Sequence, residues 1–367
     1  MPRVVHGVRL VAAALSVLAG IGGTPSAQPG SNGHEGAEGV SLVFPTDNDA
    51  ILDVEPARFY IGLERHFGRE REWTWEGGTY GYVREARETP LGWRFTRFHE
   101  GIDIAPRYRD DRGEPLDDVR AVDDGRVVYV SARPGASDYG RYVVVEHVWE
   151  GSPFYSLYAH LASVTVYEGD RVRRGEPLGV LGYSGQGLDR ERAHVHFEIN
   201  LLLNEHFTTW RTARNARLTP IHGRFHGSNL AGVSPVEILE RSYGARNFSV
   251  VDLLAHQEAD LTVYVPAGPP PDLLDRYPWM CRSCGGAPPD WAPSWEVGLT
   301  LGGVPVRVEP SERRVTALRL GDVDGFVEAT YQASRLLTRP GPGADLSAAG
   351  RALVSLLFTR PDYVPDW

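Results

Sequence analysis

The sequence predicts a mainly β fold, an antiparallel β-sandwich or barrel, followed by a mixed α+β region at the C-terminal end. Three observations carry this. Between Gly101 and Leu202 the chain is a series of short segments in which apolar and polar residues alternate. Turns containing Gly and Asp separate them, at Asp123-Asp124-Gly125, Gly169-Asp170 and Arg174-Gly175. Almost no helical period lies between the segments, which argues against a parallel sheet, whose strands need long crossover connections.

In chain order, residues 1–27 have the pattern of an export signal. Arg3 and Arg9 form the positive flank, Leu10 to Ile21 is a short apolar run, and Thr24-Pro25-Ser26-Ala27 offers small residues for cleavage. That run is shorter than the roughly 20 residues needed to cross a bilayer. No later run is long and apolar enough for a membrane span. Residues 28–52 read as a leader and a first strand, with Gln28 to Gly39 as flexible chain and Val40–Phe44 as the strand, closed by Pro45. A domain with insertions is expected over 53–240 and an accessory region over 241–367.

Within the domain, Asp53 to Phe98 is irregular and rich in Arg, Glu and aromatics, and reads as decorated strands and loops ahead of the core. Strands are expected over Gly101–Ala105, Asp117–Ala121, Arg126–Ser131, Tyr142–Trp149, Phe154–His160, Pro177–Gly182 and His194–Leu202. Residues 203–232 show no clear period and read as an insertion, and Ser234–Leu239 as a short closing element. Beyond it, Val251–Leu254, Leu261–Val265, Trp295–Val308 and Arg314–Leu320 read as strands, with Phe326–Leu337 either strand or short helix. A helix capped by Asp345 is expected to run to Phe358.

The chain has 367 residues, 42% hydrophobic and 23% charged, an ordinary globular composition. Its formal charge is −10 and every basic residue other than His is Arg. An acidic chain without a basic run is poorly suited to nucleic acid. The two cysteines, Cys281 and Cys284, sit in a Pro- and Gly-rich stretch as Cys-Arg-Ser-Cys. A zinc half-site would lack its other ligands nearby, and a redox motif would want a strand–helix context, so a local disulfide or plain thiols are expected.

The chemistry concentrates in Ala193-His194-Val195-His196-Phe197-Glu198-Ile199. Residues i and i+2 of a strand share a face, so His194 and His196 project together from a segment whose other face is apolar. Upstream, Phe98-His99-Glu100-Gly101-Ile102-Asp103 places His99 and Asp103 within reach of one side of the sheet. One carboxylate and two imidazoles form a three-ligand set suited to Zn²⁺, with a fourth position left for water. His99 and Asp103 supply two of these ligands, and the His194/His196 pair is the donor of the third. Tyr158-Ala159-His160-Leu161 adds another imidazole at a strand end. Imidazoles that do not ligate can move a proton or hydrogen-bond an oxyanion near neutral pH. His147, mid-strand, reads as a structural histidine hydrogen-bonded within the sheet. His206, His222, His226 and His256 fall outside the pattern and read as surface or loop residues.

His-x3-Asp, Tyr-x-His-Leu and His-x-His-Phe-Glu-Ile, in that order, resemble the lysostaphin/LytM-type zinc metalloendopeptidases of peptidase family M23. The turn Asp124-Gly125-Arg126-Val127, the run Val143–His147 and Gly169-Asp170-x-Val172-x-x-Gly175 agree. The resemblance covers roughly residues 95–200. It implies an M23 core of the duplicated hybrid motif type and one Zn²⁺ per chain held by His99, Asp103 and His196. It implies His160 and His194 as catalytic histidines. It further implies an exported enzyme of the periplasm, cell wall or exterior that cleaves peptidoglycan peptides. Substrate-binding residues and oligomeric state are left open. The alternative is a non-enzymatic LytM-like module that activates other wall hydrolases. The stretch Arg107 to Val119 is longer and more acidic than is usual in that family.

Overall fold

A computed structural model describes residues 39–67, 70–89, 92–215, 221–245, 247–323, 335–339 and 343–367. Helix α1 (Pro56–Phe59) precedes two hairpins, β1 (Leu63–Phe67) with β2 (Glu70–Thr74) and β3 (Val83–Thr89) with β4 (Gly92–Phe98). Nine strands follow through turns and loops: β5 (Ile102–Ile104), β6 (Asp118–Arg120), β7 (Gly125–Ser131), β8 (Tyr142–Trp149), β9 (Ser152–Ala159), β10 (Ser163–Val164), β11 (Arg171–Val172), β12 (Pro177–Val180) and β13 (Val195–Leu202). Helix α2 (Phe207–Arg214), strand β14 (Leu230–Val233) and helix α3 (Pro235–Ser242) come next. The remainder holds α4 (Val250–Ala255), β15 (Leu261–Gly268), α5 (Leu273–Arg276), β16 (Ala292–Leu299), β17 (Pro305–Ser311), β18 (Arg319–Val323) and α6 (Ala348–Leu357).

The central sheet runs β11-β7-β8-β9-β13-β14, with β5 also pairing with β13, and every pairing in it is antiparallel. A three-stranded sheet, β10-β12-β6, packs against it, and the C-terminal strands form a third sheet, β17-β16-β15-β18. The fold is thus mainly antiparallel β. Strand alternation builds the core directly: Val195, Phe197, Ile199 and Leu201 of β13 join Val143, Val145, Tyr158, Val119 and Leu178 in one buried cluster. The opposite face of β13 carries His196, Glu198, Asn200 and Leu202. It is also buried, because the chain after β13 returns over it, and Leu202 packs with Tyr142, Phe225 and Leu230. The β8–β9 hairpin closes through Glu150-Gly151, both at positive φ (52° and 80°), the two-residue turn whose twist suits a hairpin.

Several expectations need correction. Val40–Phe44 is extended and its Val40, Leu42 and Phe44 are core, but it is not a strand. Its backbone bonds go to two different segments, Val40 N–H to Phe248 O and Val43 N–H to Val122 O, so no ladder forms. Val251–Leu254 lies in helix α4, started by Ser249, whose Oγ accepts from Asp252 N–H at 2.8 Å. Trp295–Val308 is a hairpin, β16 and β17, because the chain turns at Thr300–Gly303, with Gly303 N–H bonded to Thr300 O. Helix α6 is capped by Ser347, and Asp345 instead pairs with Arg351. Residues 203–232 contain a helix and a sheet strand. Of Phe326–Leu337, residues 326–334 lie outside the described residues.

Candidate metal centre and groove

The centre forms where β5, β13 and the end of β9 meet. In the register of the sheet His196 lies opposite Asp103 on one side and opposite Ala159 on the other, so His160 follows immediately. His99 is brought in by the hairpin before β5: its N–H donates to Tyr82 O and its carbonyl accepts from Gly81 N–H, both at 2.9 Å. Asp103 Oδ1 stands 3.0 Å from His99 Nε2 and 2.8 Å from His196 Nδ1, and the two ring nitrogens are 3.2 Å apart. These three side chains are buried and could hold one metal ion, their ligand atoms lying within 4.8 Å of one another.

Each donor is oriented by a second contact. His99 Nδ1–H donates to Thr79 O at 2.8 Å, leaving Nε2 as the lone-pair nitrogen. His196 Nε2–H donates to Glu198 Oε1 at 2.7 Å, which turns Nδ1 inward. Arg84 donates to Asp103 Oδ2 at 2.8 Å, so Oδ1 is the oxygen facing the imidazoles. Glu198 is fully buried and also accepts from Tyr139 OH (2.6 Å) and Asn200 Nδ2 (2.8 Å). A buried carboxylate needs this number of donors to remain charged.

Electrostatics favours a cation here. Burial opposes the Asp103 carboxylate, yet His99, His194 and Arg84 outweigh it and hold the group well below the usual range. Burial also opposes a charge on His196, but hydrogen bonds to Asp103 and Glu198 raise it to about 10. Burial pushes His99 down, and it stays neutral. The donor set, two imidazoles and a carboxylate on pre-oriented atoms, suits Zn²⁺.

His160 and His194 complete the cluster. Their ring centroids are 4.7 Å apart, and His160 lies 5.9 Å from His196. His194 Nε2 is 3.5 Å from Asp103 Oδ1. His160 Nδ1–H donates to Ser184 O (2.9 Å) and His194 Nδ1–H to Arg192 O (2.8 Å), so each keeps Nε2 as its basic nitrogen. Burial lowers both, His160 well below the ordinary imidazole value, so both are neutral bases at pH 7. His160 sits at φ 63°, the left-handed region, held there by its N–H to Tyr139 O and by Ser184 N–H to its carbonyl.

A groove of about 630 Å³ passes over the cluster. Its lining includes Arg84, Arg97 and Phe98 of the β3–β4 hairpin, and His222, His226 and Ser228 of the segment after β13. The five expected site residues are thus brought together. His147 is structural, as expected, bonded to Asp124 O and Ser156 Oγ. His222 and His226 lie in a turn and a bend, as expected of loop residues, but both also line the groove and His222 is buried, because the return of the chain over β13 folds them inward. The sequence reading missed Arg84, Thr79, Tyr139 and Glu198. Glu198 carried a signal, since it lies two residues after His196 on the same face, whereas Arg84 and Thr79 carried none. Cys281 and Cys284 form a disulfide, away from the groove lining.

Sheet and cluster together define a β-rich core with a buried His/Asp/His set able to hold a metal ion. Residues 97–207 match the family model described as Peptidase family M23, so the chain carries an M23 peptidase domain. Among curated proteins it is 26% identical to peptidoglycan DD-endopeptidase ShyB of Vibrio cholerae, over 46% of this chain and 37% of ShyB. It is 41% identical to murein hydrolase activator EnvC of Escherichia coli over 22% of this chain and 17% of EnvC. The chain therefore spans well under half the length of these relatives. Among solved structures, a zinc-containing peptidase from Vibrio cholerae matches at 26% identity over 33% of this chain and 36% of that one, with a TM-score of 0.24. Among the described residues no helix is long and apolar enough to cross a membrane.

Proposed function

We propose that this protein is an exported zinc metalloendopeptidase that hydrolyses peptide bonds in the stems or cross-links of peptidoglycan. The observation that carries the reading is the convergence of His99 Nε2, Asp103 Oδ1 and His196 Nδ1 beside two neutral imidazoles in an open groove. His99, Asp103 and His196 would hold the ion. When bound, zinc supplies Lewis acidity, polarising a peptide carbonyl and making water acidic enough to attack near neutral pH. His160 and His194 act through Nε2, either ring taking the proton from the attacking water; the imidazolium so formed then has an Nε2–H that can donate a hydrogen bond to the carbonyl oxygen as it gains charge and deliver the proton to the leaving amine. The buried cluster strengthens these interactions by excluding bulk water. Peptidoglycan as substrate, and the periplasm or cell wall as location, are inferred from the endopeptidase relative and the signal-like residues 1–27.

The match to EnvC, an activator by name, favours a second reading, a module that stimulates other wall hydrolases. Retention of all five side chains supports the enzyme. Digestion of purified sacculi separates the two. The enzyme releases peptide-cleaved products alone, is stopped by a chelator and loses at least a hundredfold with His99→Ala, on the scale of a catalytic-group loss. Full activity in His99→Ala would sink the metal mechanism. Products formed only when a second hydrolase is added would favour the activator.

A further inference from the structure

We propose that Arg84, delivered by the hairpin that precedes the M23-matched segment, is a positioning residue that fixes which oxygen of Asp103 faces the metal. The inference rests on the zinc reading above. Arg84 lies on β3, and its Nη2 donates to Asp103 Oδ2 at 2.8 Å and to Gly77 O at 2.7 Å. Asp103 Oδ1 is left to face His99 and His196. An unrestrained carboxylate can rotate or bind a cation through both oxygens, whereas a charge-assisted bond to Oδ2 makes Oδ1 the single donor.

The anchor for Arg84 is itself fixed. A Cβ on Gly77 would stand 2.1 Å from Leu63 Cγ, and one on Gly78 would stand 2.9 Å from Ile61 O and 3.1 Å from Asp103 O. The turn at 75–78 is therefore pressed between residues 61–63 and strand β5. The same stretch supplies Thr79 O to His99 Nδ1–H, and Ile61 N–H donates to Asp103 O at 3.0 Å. Two of the three donors are thus held by residues 61–84, which lie before the matched segment 97–207.

The test is zinc affinity by competition with a chromophoric chelator, together with the visible spectrum of the Co²⁺-substituted protein. The full chain is compared with Arg84→Ala, Arg84→Gln and Arg84→Lys. Ala and Gln are expected to weaken zinc by about 10- to 100-fold and to change the cobalt spectrum, with Lys restoring part of the affinity. Gln covers the case in which Ala fails to fold. The inference is overturned if the wild type binds one zinc and all three variants bind within twofold of it with unchanged spectra. Faster peptide cleavage in such variants would instead make Arg84 a cover over the groove. A wild type that takes up no zinc overturns the metal reading, and this inference with it.

Discussion

An imidazole presents one particular nitrogen to a metal only when its other nitrogen is already engaged. At His196 that engagement is Glu198, a carboxylate with no exposed surface. Glu198→Ala is expected to lower zinc affinity by about 10- to 100-fold, measured by equilibrium dialysis, because His196 loses the partner that sets its tautomer. Gly101 tests the same packing from the other side. A Cβ there would stand 2.5 Å from Phe197 O and 3.0 Å from His196 Cε1. Gly101→Ala should cost about 1–3 kcal/mol in denaturant unfolding and weaken metal binding, since the strand bearing His196 must shift. His147 gives a prediction without metal. Burial holds its folded value below the ordinary 6.5, so the folded protein keeps it neutral while the unfolded chain takes up a proton. Its stability contribution is complete above about pH 6.5 and is lost as pH falls toward the folded value. His147→Gln should reduce the slope of unfolding free energy in that window by up to about 1.4 kcal/mol per pH unit. The clustered histidines were legible in the sequence because strand period and motif order agree on them. Arg84 and Thr79 were not, because contact across a hairpin leaves no local pattern.

Elements were legible to the extent that their stability is local. Strands β7, β8, β9 and β13 alternate along the chain and lie within two residues of their expected positions. Helix α4 departs from the expected strand because Val250-Val251 favours a strand and outweighs the local cap Ser249, while the further partner of its first turn is distant. Glu150, in the β8–β9 turn, accepts from Val250 N–H at 2.9 Å and also bonds Ser249 Oγ. That added acceptor, 100 residues away, cannot be seen in a window, whereas Ser249 can. Glu150→Ala is therefore expected to destabilise the protein by about 1 kcal/mol, read by denaturant unfolding. The β16–β17 hairpin did carry a signal, Gly302-Gly303, which the apolar run around it obscured.

At the scale of the molecule, the region after residue 240 is folded onto the central sheet. Tyr277 OH accepts from Leu202 N–H, Arg276 donates to Leu202 O and Leu203 O, and Asn204 Nδ2 donates to Leu356 O and Thr359 O. Composition alone suggested an accessory region there, since hydrogen bonds between distant segments have no sequence signature. A metal bound only by the folded state adds to this common core. With zinc at about 100 times its dissociation constant, chelation should remove about 2.7 kcal/mol, seen as a lower thermal midpoint in the wild type and no change in His99→Ala. The central claim is that one zinc is held by three side chains from β5, β13 and the loop before them. Anomalous diffraction at the zinc edge, on crystals of the protein grown with stoichiometric zinc, tests it most directly. The account predicts a single strong peak bounded by His99 Nε2, Asp103 Oδ1 and His196 Nδ1. A cluster without a peak, or a peak held by other side chains, would contradict it.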